Sequence, residues 1–574
     1  MQSCAISEAI MQNPSPRLDR NNIADIYPLA PMQEGLLFHS ISAPDDGLYM
    51  PQTALRITGE VNSTALRAAW QDALDRHPIL RSGFFWEQRD EPFQIAFRQI
   101  PVAFTTLDWT QADPAAEKQR LSDLFSANRA QPFDLRRPPL IRIQWIKTGE
   151  NRSIMVVCYH HIILDGWSIR QLLDEVLQLY RRSAGFVAVS LAPARPYGDY
   201  IGWLKTRDRS GSLRFWHERL AGFESATRLL AAQSTASFAP TSFERQRLEL
   251  PVSVHQAMLA YSARSGLTLN TLLQGALALL IASQTGSQDL VFGTTTAGRP
   301  ATLDGATTMI GLFINTLPVR IRIEKAQPLS AWLAALQIAH AQTSEHDYVP
   351  LAGIQGSGTS LFDTLLVVEN FATSQKTGNA ALPLKTDGID FDERTHFPLT
   401  LWAMPHSAGL TFMAGFSRDI LSPETAFALL ERLVSILSAM LSASEPTLAA
   451  FIEEMPAPIE GAGLADPGST VSIGARPLDP LPSGHQPSAT EAALAKIWAE
   501  VLKCGPLDGH ANFFELGGHS LLAARVVSRI RAEFGVPVPV RALFEQPVLA
   551  ALAHHVERLC APHVTPEGHI EIEI

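Results

Sequence analysis

The alternation of apolar and polar positions is clearest around a pair of adjacent histidines. Residues 153–160, SIMVVCYH, are apolar and rich in β-branched side chains, which predicts a buried strand. Asp165-Gly166 predicts the turn that ends it, and Ser168 with Gln171 gives a capping-box spacing for a following helix. The apolar face of that helix consists of Ile169, Leu172, Leu173, Val176, Leu177 and Tyr180. His160 and His161 therefore lie where a buried strand meets a turn, a common position for functional side chains.

Similar patterns divide the rest of the chain into regions. Helices are predicted at 63–76, 252–266 and 268–284, and strands at 289–296 and 361–370, within two mixed regions at 21–190 and 191–454. Residues 455–489 are rich in proline and glycine, which is typical of a linker. Beyond it, helices are predicted at 490–502, 521–534 and 548–559, with Thr490 as the first cap and Gly535 as a stop.

The histidine pair is the first candidate for chemistry. Side chains alternate across a strand, so only one of two adjacent extended histidines faces a given cavity. An imidazole exchanges protons near neutral pH when its tautomer and orientation are fixed. Asp165 is placed either to orient that imidazole or to brace the loop through an arginine elsewhere. The alternative for an isolated pair is that both rings are simply packed or solvated.

The residues around this pair resemble a known family. HHIILDG, residues 160–166, resembles the HHxxxDG signature of condensation domains from non-ribosomal peptide synthetases. Further blocks resemble that family in the same order, among them YPLAPMQEGLLFHS (27–40), RHPILRSGF (76–84), VFGTTTAGRP (291–300) and MIGLFINTLPVRI (309–321). The resemblance implies an α/β (α+β) fold with two chloramphenicol-acetyltransferase-like lobes, 21–190 and 191–454, forming a V with a central tunnel.

The resemblance also implies roles for individual residues. His161 is the active residue, which takes a proton from the attacking amine or holds that amine in place, and His160 is structural. Asp165 is a scaffold acid, for which Arg299 of the AGRP block is the candidate ion-pair partner. Gly166 allows a tight turn close to the reacting atoms.

The reaction implied is transfer of an acyl or peptidyl thioester from an upstream carrier onto an amine. The first block favours a D-configured donor residue. The alternatives are an ester-forming condensation domain, an epimerisation-type domain with the same HHxxxDG signature, and a non-catalytic platform that recruits a tailoring enzyme. A simple hydrolase is excluded because no serine lies in a GxSxG motif.

A second resemblance concerns residues 490–560. NFFELGGHSLLA, residues 512–523, resembles the attachment site of peptidyl carrier domains, which implies 4'-phosphopantetheine on Ser520. On position alone Ser520 is equally well explained as a helix N-cap. A helix N-terminus also suits a phosphodiester, because its free N–H groups favour an anion.

The partners implied are an upstream donor carrier, a phosphopantetheinyl transferase, and an adenylation domain in trans or on a removed part of the chain. The tail, residues 561–574, is either a disordered end or a docking strand for a following part of the synthetase.

Composition narrows these expectations without changing them. The 574 residues carry a formal net charge of −11 and no long Lys/Arg run, which argues against nucleic acid or an anionic membrane as partner. Residues 1–20 have the character of a flexible leader without a signal-peptide core, and no apolar stretch approaches the roughly 18 residues of a spanning helix. A cytoplasmic protein is expected. The four cysteines are widely spaced, which predicts neither a disulfide framework nor a metal site.

Overall fold

The chain forms two sheet-containing lobes and a small C-terminal helical unit. The computed structural model describes residues 20–560 apart from 45, 87–90, 186–190, 232–242, 356–359, 370–384, 407–408, 443–444, 462, 466–470, 473–486, 514–515, 517–519, 540–541 and 544–545. The first lobe is taken as the described residues up to 185, the second lobe as those from 191 to 454, and the C-terminal unit as those from 487.

The first lobe is built around the strand that leads to the histidines. Its strands are β1 (Ile23–Pro28), β2 (Gln52–Thr58), β3 (Ser82–Phe85), β4 (Phe93–Phe97), β5 (Ala103–Asp108), β6 (Ile141–Gly149) and β7 (Arg152–Tyr159). Its helices are α1 (Pro31–Ser42), α2 (Ser63–Arg76), α3 (Glu117–Arg129) and α4 (Gly166–Ser183). Strand β7 lies between β2 and β6 and is buried from Ser153 to Tyr159, which explains its unbroken apolar sequence.

The second lobe contains a six-stranded mixed sheet. Its helices are α5 (Gly198–Lys205), α6 (Arg209–Leu220), α7 (Val252–Ser265), α8 (Leu269–Thr285), α9 (Leu329–Ser344), α10 (Leu351–Gln355), α11 (Pro423–Ser442) and α12 (Leu448–Glu453). Its strands are β8 (Ser225–Ala226), β9 (Phe243–Glu249), β10 (Asp289–Thr296), β11 (Asn315–Arg322), β12 (Thr364–Val368), β13 (Lys385–Asp392), β14 (Leu399–His406) and β15 (Gly409–Ser417). The sheet order is β11-β10-β12-β14-β15-β9. Helix α8 is buried along most of its length and forms the centre of this lobe's core.

Two segments of residues 191–454 join the first lobe. Strand β13 pairs antiparallel with β2, so that the first lobe's main sheet has the order β13-β2-β7-β6-β5. Met309, Ile310, Leu312 and Phe313 pack in the same hydrophobic core as Ile162 and Leu164. The junction between the lobes is therefore a shared sheet and a shared core.

The expectation that no apolar stretch approaches a spanning helix was wrong for helix α11, which is long and apolar enough to span a membrane by length and composition. Leu429, Leu433 and Leu437 are buried in the second lobe's core, where α11 packs against α8 and β9. Its apolar face is therefore covered by protein. The pair α7 and α8 also passes this test as a bent span, but most of α8 is likewise buried.

The C-terminal unit comprises α13 (Ala489–Leu502), α14 (Ser520–Phe534) and α15 (Leu549–Cys560) around a small apolar core. The first cap differs from the expected Thr490. Ser488 is the N-cap and forms a capping box with Glu491. The Ser488 hydroxyl accepts from the Glu491 amide, and the Glu491 carboxylate accepts from the Ser488 amide. Helix α14 ends at Gly535, which has the left-handed conformation expected of a stop.

The predicted linker is partly attached to the second lobe. The Gln284 side chain exchanges two hydrogen bonds with the backbone of Ile459, at 2.8 and 2.9 Å, and β16 (Val471–Ser472) pairs with β8. Its residues 466–470 and 473–486, most of the predicted leader and the tail 561–574 lie outside the described residues.

Candidate active site

The histidine pair lies just beyond the end of β7. The His160 amide donates to the carbonyl of Leu140 at 2.9 Å, and the His161 amide donates to the carbonyl of Tyr49 at 2.8 Å. These bonds continue the pairing of β7 with both neighbours, and the chain then turns through residues 161–163. Both rings are buried.

The turn and cap differ from the sequence prediction. Asp165 and Gly166 do not form the turn. Asp165 is the N-cap of α4, and its Oδ1 accepts from the Ser168 amide at 2.7 Å in place of the predicted capping box of Ser168 and Gln171. Gly166 is the first helical residue and has no positive φ, so its place in the signature does not rest on left-handed backbone freedom.

His160 is held in one neutral tautomer. Its Nδ1 accepts from the Ile162 amide at 3.1 Å, which places the proton on Nε2. Nε2 lies 3.1 Å from Oγ of Ser40, whose hydroxyl donates to the carbonyl of Leu36. Burial and the neighbouring His161 lower the pKa of His160 to about 3. This ring therefore stays neutral near neutral pH, with its one proton on Nε2.

His161 is in a different electrostatic environment. Its Nε2 lies 3.3 Å from Oε1 of Glu393, whereas Nδ1 is buried with no hydrogen-bond partner among the described residues. Burial alone would lower the pKa of His161, but the hydrogen bond and the charge of Glu393 outweigh it, so the pKa is raised. His161 is the member of the pair suited to proton exchange.

Asp165 joins the two lobes. Its carboxylate is fully buried and accepts from the Phe313 amide at 2.9 Å, and Arg299 Nη2 lies 3.2 Å from Oδ1. The guanidinium of Arg299 also donates to the carbonyls of Ala306 and Met309. The ion pair between Asp165 and Arg299 expected from the sequence is therefore present. The Asp165 carboxylate accepts hydrogen bonds from Ser168, Phe313 and Arg299, and its charge also favours the protonated form of His161.

A cavity of about 430 Å³ opens beside His160, between the first lobe and the C-terminal unit. Its lining includes Ser40, Tyr49 and His160 from the first lobe and Ser528 and Arg531 from α14. The contact between these parts is apolar, since Phe38 and Ile41 of α1 pack against the core of the C-terminal unit. The C-terminal unit is therefore docked next to the histidine turn.

Ser520 is the first residue of the 15-residue helix α14. The free amide groups at such a helix start suit a phosphodiester. The neighbouring residues 517–519 lie outside the described part of the chain, and so does the Ser520 side chain.

Glu393 was not found by sequence reasoning. It follows an alternating segment that became β13, and no local motif distinguishes its carboxylate from those of Asp390 and Asp392. Its proximity to His161 depends on β13 crossing to the first lobe's sheet, which local periodicity does not encode.

Comparison with known proteins identifies both parts of the chain. Residues 23–451 match the condensation domain family and residues 492–556 match the phosphopantetheine attachment site family. A linear gramicidin synthase of Brevibacillus parabrevis is 36% identical over 397 residues, which is 67% of this chain and 8% of that protein. Chondramide synthase cmdD of Chondromyces crocatus is 33% identical over 479 residues, covering 74% of this chain and 12% of that protein. The chain thus spans a small part of these relatives.

Solved structures share the fold at lower identity. The first condensation domain of the calcium-dependent antibiotic synthetase, in complex with a substrate analogue, superposes with a TM-score of 0.63 at 17% identity, covering 76% of this chain and all of that one. A four-domain non-ribosomal peptide synthetase bound to AMP and glycine gives a TM-score of 0.63 at 20% identity, covering 75% of this chain and 34% of that one.

These matches agree with the mixed α/β lobes and the small helical unit. The attachment-site match means that the cofactor of the C-terminal unit is covalent 4'-phosphopantetheine. The chain belongs to the condensation domain family of non-ribosomal peptide synthetases, acyltransferase-type domains that form amide bonds, and carries a phosphopantetheine carrier domain behind it.

Proposed function

We propose that this didomain transfers an acyl or peptidyl group from an upstream carrier to the amine of an aminoacyl group on its own carrier. The observation that carries the proposal is the contrast within the histidine pair. His160 is kept neutral by burial and by the bond that its Nδ1 accepts, whereas Nε2 of His161 lies 3.3 Å from the Glu393 carboxylate, which raises the pKa of His161. A base works best when its pKa is near the working pH, and of the two rings only His160 has its pKa lowered far from that range.

Ser520 is the proposed attachment residue of 4'-phosphopantetheine. When bound, this group supplies the thioester chemistry and brings the acceptor's amine to the reaction centre. The docking of the carrier through Phe38 and Ile41, beside the cavity lined by His160, supports the acceptor role for this carrier.

His161 is the proposed catalytic residue, with Nε2 as the atom that accepts or holds the proton of the attacking amine. His160 fixes the backbone through its bonds to Leu140, Ile162 and Ser40. Asp165 and Arg299 are scaffold residues, because their contacts are with helix and loop backbone around the reaction centre. Gly166 begins α4 directly behind the cap. Much of the rate comes from holding two tethered reactants together in a dry site.

The remaining elements of the proposal concern partners. An upstream donor carrier, a phosphopantetheinyl transferase and an adenylation domain outside this chain complete the system, and the tail 561–574 docks a following part of the synthetase. A cytoplasmic location fits the free thiols of Cys158, Cys504 and Cys560. The donor residue is D-configured, a proposal that rests on the block at 27–40.

Intact-protein mass spectrometry tests this function. Ser520 is loaded with aminoacyl-phosphopantetheine from a panel of amino acids, and D- and L-configured donor thioesters are offered in trans. We expect a mass gain equal to the donor acyl group, larger with D donors, and no gain with His161→Ala. The matched loading control is Ser520→Ala, which should accept no phosphopantetheine. Loading without transfer across a broad donor panel would overturn the condensation function and favour the platform alternative.

A further inference from the structure

The position of Glu393 is fixed by the first lobe's sheet. Asp392 pairs with Gln52 of β2, and Gln52 pairs with Cys158 of β7. Since β2 is antiparallel to both neighbours, β13 and β7 run in the same direction and end at the same edge. Glu393 follows β13 directly, as His160 follows β7 directly. The shared edge brings the carboxylate to the histidine turn.

Charged contacts from both lobes hold this end of β13. The Asp392 carboxylate contacts Arg129 at the end of α3 in the first lobe and Arg245 on β9 in the second. Arg245 Nη1 also donates to the carbonyl of Phe391 at 2.7 Å. The backbone that precedes Glu393 is therefore fixed from two sides, a requirement for a group that must meet a reacting atom at a set distance.

The Glu393 carboxylate and the His161 imidazole present hydrogen-bond acceptors to the same point. Glu393 Oε1 lies 3.3 Å from Nε2 of His161, and both side chains are mostly buried. When the single proton of the imidazole is on Nε2, His161 donates it to the Glu393 carboxylate. When that proton is on Nδ1, the state in which Nε2 can act as a base, Nε2 and the carboxylate are both acceptors and have no hydrogen to share. A donor with at least two hydrogens resolves this arrangement. The amino group of an aminoacyl acceptor is such a donor.

We propose that Glu393 and His161 together form the binding site for the acceptor's amino group, with the carboxylate and Nε2 each accepting one N–H. This inference rests on the proposed function. The amino group enters as an ammonium, which the Glu393 carboxylate attracts, and one proton passes from its nitrogen to Nε2. The amine becomes neutral and nucleophilic, the imidazole becomes an imidazolium beside the carboxylate, and the total charge is unchanged.

Other ionisable groups surround this pair and enter any reading of its pH dependence. They come from the strands, loops and helix start packed around it and comprise His160, Asp165, Tyr49, Tyr159, Arg245 and Glu369. Glu369 competes for a proton, because burial and the charge of Glu393 raise its pKa to about 8. The variants below therefore change Glu393 alone and use a control on the same strand.

The test compares Glu393→Gln with Asp390→Asn in the full chain. Gln keeps the shape of the side chain and removes its charge, and Asp390 is a carboxylate on β13 that pairs with Arg56 at 2.6 Å. Binding is measured with two stable pantetheine analogues in which an amide replaces the thioester. One ends in an amine and the other in a hydroxyl.

We expect Glu393→Gln to weaken binding of the amine analogue by about tenfold to a hundredfold, as for a lost hydrogen bond to a charged group, and that of the hydroxyl analogue by less than about threefold. In [13C]histidine NMR, with His161 assigned by its loss in His161→Gln, the pKa of His161 should fall in Glu393→Gln. Asp390→Asn should match wild type in both measurements.

Two results would overturn the inference. Equal weakening of both analogues would make Glu393 a structural residue, and unchanged binding of the amine analogue would remove it from the site. If the wild-type chain condenses, either result for Glu393→Gln is a failure of this inference alone. A wild-type chain that does not condense is a failure of the proposed function.

Discussion

The buried carboxylate of Asp165 should stabilise the fold and take no part in proton transfer. It is fully buried and accepts from the amides of Ser168 at 2.7 Å and Phe313 at 2.9 Å. It also pairs with Arg299, whose side chain is 3% exposed. Removing the carboxylate therefore removes a helix cap, a tie between the lobes and the counter-charge of a buried cation.

The size of the effect follows from these contacts. Asp165→Ala leaves Arg299 without its counter-charge, which costs about 3–5 kcal/mol of unfolding free energy for a broken buried pair. Loss of the cap adds about 1 kcal/mol. Asp165→Asn also leaves Arg299 without its counter-charge but keeps an oxygen for the cap, so we expect about 3–5 kcal/mol without the added cost of the cap. The matched control is Asp72→Asn, which breaks an exposed pair with Arg182 and should cost less than about 1 kcal/mol.

Urea unfolding of the full chain measures these differences in unfolding free energy. Hydrogen exchange in peptides from β7 and α4 reports the unfolding of the first domain separately from that of the carrier. Folded Asp165→Asn should condense within about tenfold of the wild-type rate. Asp165→Ala as stable as Asp72→Asn would refute the structural reasoning. A stable Asp165→Asn with more than about a hundredfold loss of rate would make the carboxylate part of the chemistry.

Three further predictions follow from single contacts. Phe38→Asp should slow transfer to the attached carrier by breaking the apolar docking contact. It should also lower the unfolding free energy of the first domain, because Phe38 packs against that core as well, so the rate is measured under conditions where the variant is folded; an unchanged single-turnover rate would exclude this docking site. The condensation rate should rise with pH as His161 loses its proton, which a pH–rate profile measures. Because the pKa of His161 is raised in the folded protein, the stability from its pairing with Glu393 should be present at low pH and lost as pH rises through that pKa. Urea unfolding at several pH values measures this decrease. Gly298→Ala should be much more destabilising than Gly266→Ala. Both positions have a positive φ, which costs an alanine about 1–3 kcal/mol of strain, but only at Gly298 would the new Cβ also lie 1.7 Å from the Phe313 carbonyl oxygen. Equal melting temperatures of the two variants would contradict this prediction.

Local elements were predictable because their signals are local. Helix α2 and strand β10 begin and end where the apolar period indicated, and α8 starts after the Thr268 cap and ends before Gly286. Errors arose where two polar residues compete for one role. Ser488 took the cap expected of Thr490, and Asp165 took the cap expected of Ser168, because capping depends on which side chain reaches the free amides.

The site was predictable only in part. The resemblance around 160–166 and 291–300 predicted roles for His161, Asp165 and Arg299, and the structure pairs Asp165 with Arg299, which lies 134 residues further along the chain. Glu393 has no such signature. Its contact with His161 requires β13 to leave the second lobe and pair with β2, and this crossover is decided by the packing of both lobes rather than by local periodicity.

The most direct test of the role of His161 is the single-turnover rate of His161→Ala with both substrates loaded. General acid–base catalysis by one side chain contributes about 10²–10⁴-fold. We expect a loss in that range for His161→Ala, with wild-type loading of Ser520 and an unchanged urea midpoint. A rate within about tenfold of wild type would contradict the central role of His161 and leave positioning by the tethered carriers as the main source of catalysis.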